Sequence, residues 1–417
     1  MGEGCGMKAA ACLKSLLAAP VPDAGFAILR EAAGSRAQQL GLPGAKHEAW
    51  RLTDLSALYG WEFGALEGPA GVPGIDVIPD TYRIVFVDGH YAAELSDLAA
   101  DDAVKVAPLG LEAGSLHAHF GTSMQDDVFA QLNARNFGDC AFVHVTGEAA
   151  KPIHVLYVST QHDAPAALYS RCLVVMAPNA RATLIEEYAG ADGHYFDNAM
   201  TEVVLQAHAG LRHVRVQLEG EQAVHVGNTA VSLAQGANYD STALSFGGRL
   251  SRHTLQVSHH GEGAHARLDG LILADGRQIM DTHTRIDHLV PNCVSLQRHK
   301  CIAGGNSNAV FSGDIVVHRD ARGTDTRQES RNLLLSGRAR IDAQPQLEIL
   351  NDDVSCKHGA TVGQLDLEEL FYLKSRGLSE EVSRQLLIYA FVSEIVDRIP
   401  EAALVKRLRE SMNGRLS

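Results

Sequence analysis

Cys356 and His358 offer a soft thiol and an imidazole one residue apart, in the run Asp352-Asp353-Val354-Ser355-Cys356-Lys357-His358-Gly359-Ala360-Thr361. On a strand, positions i and i+2 point to the same face. Thiolate with imidazole suits a zinc, copper or iron–sulfur site better than a magnesium or calcium one. Two ligands are too few to close a metal site. Alone, the pair reads as a buried thiol beside a hydrogen-bonded histidine. As a ligand pair, it needs residues from elsewhere in the chain or from another chain.

No nucleophile elbow, phosphate-binding loop or dinucleotide-binding glycine pattern accompanies it, so no enzymatic activity is expected of this chain. The 20 histidines are mostly poor metal candidates. His259-His260 precedes a Gly-Glu-Gly turn and is predicted to face solvent. His283 and His288 are an odd number of positions apart, which on a regular strand sends them to opposite faces. They are expected to hydrogen-bond to neighbouring strands rather than share a metal. The seven cysteines (5, 12, 140, 172, 293, 301, 356) are scattered and include no Cys-x-x-Cys pair, so they form no disulfide framework.

Composition removes further classes. With 46% hydrophobic and 21% charged residues, the chain reads as a well-packed soluble protein. A net charge of −14 without any long basic run argues against nucleic-acid binding. Arginines between Arg319 and Arg340 alternate with acids and are read as a solvated face. No apolar run reaches the length of a membrane span. Met7 to Leu17 resembles a signal peptide only weakly, since Lys14 interrupts its apolar stretch. A reducing, cytoplasmic compartment is expected.

Three regions must position the Cys-x-His pair. Residues 1–140 are predicted to form a helical region with a small hairpin. Helix formers at Phe26–Ala33 and Arg36–Leu40 end at Gly41 and Pro43, and Glu48–Leu55 carries Trp50, Thr53 and Asp54. A Gly/Pro-rich link (Gly64 to Gly74) leads to a hairpin of Tyr82–Val87 and Tyr91–Leu95 through Asp88-Gly89; Ser123–Arg135 is another predicted helix. Residues 141–365 read as many short strands with period-two alternation and Gly, Asn or Asp between them. Within them, Ala266–Leu273, Ala309–Val316 and, more loosely, Ala339–Leu347 resemble one another. The small residues Gly270, Gly313 and Ala343 mark a turn or a close approach to the next rung. Short strands without crossover helices suit a β-sandwich, a barrel or a β-solenoid, and the repeated unit favours the solenoid, whose stacked rungs need similar residues at equivalent corners. Residues 366–417 are helical: Asp366 and Ser379 are N-caps, and Pro400 opens the last helix. Val382, Leu386, Tyr389, Ala390, Val392 and Ile395 form an apolar stripe.

The stretches His283–His288, Phe311–Val317, Asn332–Ser336 and Leu347–Ile349, with Asp352–Thr361, resemble the SufD family of SUF iron–sulfur cluster assembly subunits. Glu48–Leu55 looks like that family's Trp-x-x-Thr element. Lys357 departs from the small polar residue common there, and the extreme N-terminus does not align. The resemblance implies a mainly β protein: a right-handed parallel β-helix between N- and C-terminal helical regions. It implies pairing with SufB through the β-helices and docking of the SufC ATPase on the C-terminal helices, with Leu386, Tyr389, Phe391 and Ile395 as candidate docking residues. It also implies an iron–sulfur cluster held transiently between SufB and His358, with Cys356 a second candidate ligand, and a homodimer when the chain is isolated. A flavin belongs, if anywhere, to the complex as a whole. Two rival readings stand beside this one: a β-solenoid carbohydrate-active enzyme, and a structural SufD that supplies no ligand.

Overall fold

The computed structural model describes residues 2–21, 26–44, 47–64, 77–98, 102–108, 120–121, 123–124 and 126–415. All but Gly64 of the predicted Gly/Pro-rich link lies outside the described residues. Among the described residues, period-two alternation becomes a β-solenoid of two ten-stranded sheets facing one lumen. One sheet runs from His90–Tyr91 and Tyr82–Val87 through Ile153–Ser159 to Thr324–Leu334, ending on Val354–Gln364. The other runs from Val104–Pro108 and Ala141–Val145 to Asn308–Val317, ending on Arg340–Ile349. Successive rungs pair in parallel and in register, as in Val294–Ala303 against Asp325–Leu334.

A column of left-handed residues sets the corner into the first sheet. Asn179, His208, Gly236, Gly263, Asn292 and Gly323 have φ between 60° and 69° and lie two residues before mutually registered strand positions. Glycine enters this conformation without cost and asparagine with little. The punctuation seen in the sequence is therefore a repeated corner.

Inside, aromatic residues stack along the lumen: Phe86 on Tyr157 at 5.2 Å and Tyr157 on Tyr188 at 5.1 Å. Each such buried ring contributes about 1.5–3 kcal/mol from lost apolar exposure. The weak internal repeat has a different basis from the one expected. Gly270 lies in the first sheet, Gly313 in the second, and Gly313 pairs with Pro345 rather than Ala343. Segments in both sheets look alike because both present alternate residues to one lumen. The expected close approach is present: a Cβ on Gly270 would overlap the His299 ring.

The hairpin turns through Asp88 (φ 50°) and Gly89 (φ 80°), as a two-residue loop requires. Its second strand is only His90–Tyr91, followed by a tight turn at Ala93–Leu95. Tyr82–Val87 also pairs in parallel with Ile153–Ser159, so the hairpin closes the first rung of the solenoid.

Helices α1 (Gly2–Ala18), α2 (Ala27–Leu40), α3 (Ser56–Tyr59) and α4 (Val128–Asn136), with the short turn Glu48–Trp50, pack through Cys12, Leu16, Ala37, Trp50, Leu58, Phe129 and Leu132 against Val175, Phe196 and Val226 of the second sheet. The predicted helix from Ser123 begins at Val128, capped by Asp127, whose side chain accepts from Ala130 N. Trp50 is a core aromatic, with the Arg252 guanidinium 3.9 Å above its ring. Arg252 donates to Ala49 O at 2.9 Å and to Asp281 at 2.6 Å, and Thr53 donates to the same carboxylate. The Trp-x-x-Thr element thus straps the N-terminal region to the solenoid.

At the other end, α5 (Leu367–Ser375) packs on α6 (Glu380–Val396), and α6 with α7 (Ala402–Arg415) packs on the outer face of the first sheet. Asp366 accepts from the Glu368 and Glu369 amides, and Ser379 from Val382 N. Ile388, Val392, Ile395, Ile399, Leu404 and Leu408 are buried against Val214, Leu244, Leu271 and Ile302. Lys300, almost fully buried, donates to Phe391 O and Glu394, each at 2.6 Å. Arg407 meets Glu187 at 2.6 Å, and Glu187 also receives His154 at 3.0 Å. No helix among the described residues is long and apolar enough to cross a membrane.

Candidate functional site

Cys356 and His358 lie on Val354–Gln364, the last strand of the first sheet, which hydrogen-bonds on one side only, to Thr324–Leu334. Here the solenoid ends without a covering rung. Cys356 is half-buried against the lumen core, and His358 is exposed. Burial, followed by the nearby Asp325, raises the Cys356 thiol above its usual pKa. Among the described residues neither side chain belongs to a group of three or more metal-ligating residues. The chain presents a thiol and an imidazole on an open edge.

Two polar ladders inside the lumen run toward this edge. Above Cys356 in register stand Thr326 and Ser295, whose hydroxyls are 2.6 Å apart, with His288 Nε2 2.9 Å from Ser295. Above His358 stand Gln328 and Gln297, bonded amide to amide at 2.8 Å. Such partners orient ligands in metal sites generally.

A family model described as "SUF system FeS cluster assembly, SufBD core domain" matches residues 157–391, more than half of the chain. The chain belongs to the SufBD family. It is 34% identical to an iron–sulfur cluster assembly SufBD family protein of Synechocystis, over 93% of this chain and 90% of that protein. It is 32% identical to the iron–sulfur cluster assembly protein SufD of Escherichia coli, over 90% of each. A SufD of Bacillus subtilis is 25% identical over 69% of this chain and 67% of its own length. This SufBD-family protein is therefore an iron–sulfur cluster assembly protein, and family membership takes the place of the carbohydrate-active alternative.

The structure divides the four candidate docking residues of the SufBD chain. Leu386 is exposed at 45%; Tyr389 and Phe391 are half-buried, their rings facing Arg409 and Lys300. Ile395 is wholly buried, so it cannot meet a partner. The stripe read from the sequence is wider than the buried face, and Val382 and Leu386 turn outward. With Leu367, Phe371 and Tyr372 of α5, exposed at 76%, 73% and 55%, these are the open apolar side chains of the helical module.

Two histidine expectations divide as well. His283 pairs with Asp281 at 3.1 Å while His288 is buried, in line with opposite faces. His259 is buried rather than solvent-facing: its ring stacks on that of His288, centroids 4.4 Å apart and 9° from parallel. The arginines from Arg319 to Arg340 are solvated as read.

Sequence reading missed Asp197, Glu219 and His225, a buried trio whose ligand atoms lie within 4.8 Å of one another. Glu219 is 2.7 Å from His225 Nδ1, and Arg215 Nη2 lies 2.5 Å from His225 Nε2. Each ring nitrogen thus faces a charged neighbour. Burial alone would lower the His225 pKa, but Glu219 and Asp197 raise it above the usual imidazole value. With Arg215 the trio forms a buried polar network inside the lumen. Nothing in the local sequence signals it, since its members come from three strands or corners.

Proposed function

We propose that this chain is a scaffold subunit that lends His358, with Cys356 beside it, to a nascent iron–sulfur cluster completed by a SufB-type partner. The observation that carries the reading is half a soft donor set on a solenoid edge open along Val354–Gln364. Iron and sulfide are cargo: a site that must release them is best left incompletely ligated by any one chain. The last rung, with Val362 on this edge and Ile349 and Leu350 at the end of the second sheet's last strand exposed at 48%, 45% and 48%, is suited to strand-to-strand pairing with another solenoid. In isolation that edge pairs two copies of this chain. Cys12, Cys140, Cys172, Cys293, Cys301 and Cys356 are free thiols, which fits a reducing cytoplasm.

In the complex co-expressed with SufB- and SufC-type subunits, His358→Ala is expected to lower iron and acid-labile sulfide content by about tenfold or more while the subunits still co-purify. Unchanged cluster content in an intact complex would leave only the structural reading of the subunit. Cys356→Ala is expected to have the smaller effect.

The ATPase partner, SufC, docks on the open face of α5 and α6, centred on Phe371, Leu386 and Leu367. Phe371→Asp is expected to abolish co-purification of the ATPase subunit without changing the urea unfolding midpoint. Retention of the ATPase would move the docking surface elsewhere. ATP hydrolysis belongs to that partner.

A further inference from the structure

We propose that Gln328 is a positioning residue for His358: its side-chain oxygen accepts the imidazole N–H and leaves the other ring nitrogen free for the incoming metal. This rests on the reading of His358 as a ligand. Strand register puts Gln328 directly opposite His358. Gln328 is 2% exposed, and its Nε2 donates to Gln297 Oε1 at 2.8 Å. Gln297 Nε2 in turn donates to Thr284 Oγ1 at 2.7 Å. The two bonds fix the direction of both amides, with nitrogens engaged on the deeper rungs.

Gln328 Oε1 is left buried without a hydrogen-bond partner. A buried acceptor in that state is destabilising, and the next residue in its register column is His358. Gly313 of the opposing sheet provides the space: a Cβ there would overlap Gln328 Nε2. The glycine noted in the sequence repeat therefore serves this ladder.

An imidazole that binds metal through one nitrogen carries its proton on the other, and the hydrogen bond made by that N–H decides which nitrogen is which. A carboxamide oxygen suits the task because it accepts a proton donor without adding charge beside a thiolate-rich cluster. On an exposed edge strand, such an acceptor also restricts a ring that would otherwise rotate.

The full-length protein labelled with ¹⁵N-histidine tests this directly, with the His358 signals identified by their loss in His358→Ala. One ring tautomer is expected to dominate in the unaltered protein. Gln328→Met, similar in length but lacking an acceptor, is expected to shift the tautomer balance toward that of free imidazole, and Gln328→Glu, which keeps an acceptor, to restore it. In the co-expressed complex, Gln328→Met is expected to weaken iron binding by about 10- to 100-fold. Thr284→Val, which cuts the same ladder at its far end, is expected to leave iron binding unchanged.

An unchanged tautomer in Gln328→Met, or an equal loss of iron binding in Thr284→Val, would overturn the proposal. Should His358→Ala keep its iron while Gln328→Met still alters the ring, the ligand reading fails and the positioning contact stands.

Discussion

Asp281→Leu is expected to destabilise the protein by about 3–5 kcal/mol, the cost of leaving a buried cation without its partner. Asp281 and Arg252 are 1% and 3% exposed. Burial alone would raise the Asp281 pKa, but Arg252, then His283 and Thr53, bring it down to about 2. The carboxylate thus ties the second sheet to the Trp50–Thr53 strap. Its loss leaves the Arg252 guanidinium buried with one carbonyl acceptor, at Ala49.

The double variant Asp281→Leu/Arg252→Met removes both charges and should recover most of the loss, since an apolar pair can replace a buried ion pair at little cost. Urea unfolding of the four proteins of this cycle measures the effect, and Trp50 fluorescence reports the strap. A single-variant loss below about 1 kcal/mol would mean that the strap is held by apolar packing alone.

Acid is expected to destabilise this protein well before its carboxylates titrate. Burial lowers the pKa of His253 well below normal, of His259 to about 4, and of His288 and His299 to about 3. In the unfolded chain these rings titrate near 6.5, so below that pH the unfolded state takes up protons that the folded state refuses. Stability from this source is fully present above about pH 7 and falls as pH drops through 6.5 toward 4. With four such groups the slope approaches about 5 kcal/mol per pH unit.

Two other contributions fall in different windows. His225, raised by its acidic neighbours, adds stability that is fully present below its unfolded pKa and lost as pH rises through its folded value, so it contributes no slope below pH 6. Glu186 is held near 2: burial opposes ionisation, but His213, Thr201 and Tyr188 outweigh it. It loses its stabilising contribution only as pH falls below the unfolded carboxylate value toward 2. Urea unfolding between pH 8 and pH 4.5 separates the windows. His299→Leu should reduce the acid slope by about 1.4 kcal/mol per pH unit. Flat stability from pH 7 to pH 5 would contradict the neutral, buried state of these rings.

Local chemistry made much of this architecture legible. Alternation has a period of two whatever the rest of the chain does, so the strands and the shared face of Cys356 and His358 could be read directly. N-caps act within one turn, and Asp366 and Ser379 cap as expected. Where a feature depends on a distant partner, that legibility ends. His259 precedes an exposed turn, but His288 on the next rung covers it. The apolar stripe of α6 contains both Leu386 and Ile395, and only packing on the sheet made Ile395 core and left Leu386 outside.

From its sequence alone, the protein was already a β-solenoid with helical ends and a Cys-x-His pair on one strand face. Tertiary structure alone decided that this strand is an edge, that Gln328 stands over His358, and that Thr53 reaches Asp281 across 228 residues. Side-chain direction along a strand follows from backbone geometry at each residue. Burial and partnership are set by which rungs stack, and stacking joins segments that no local pattern connects.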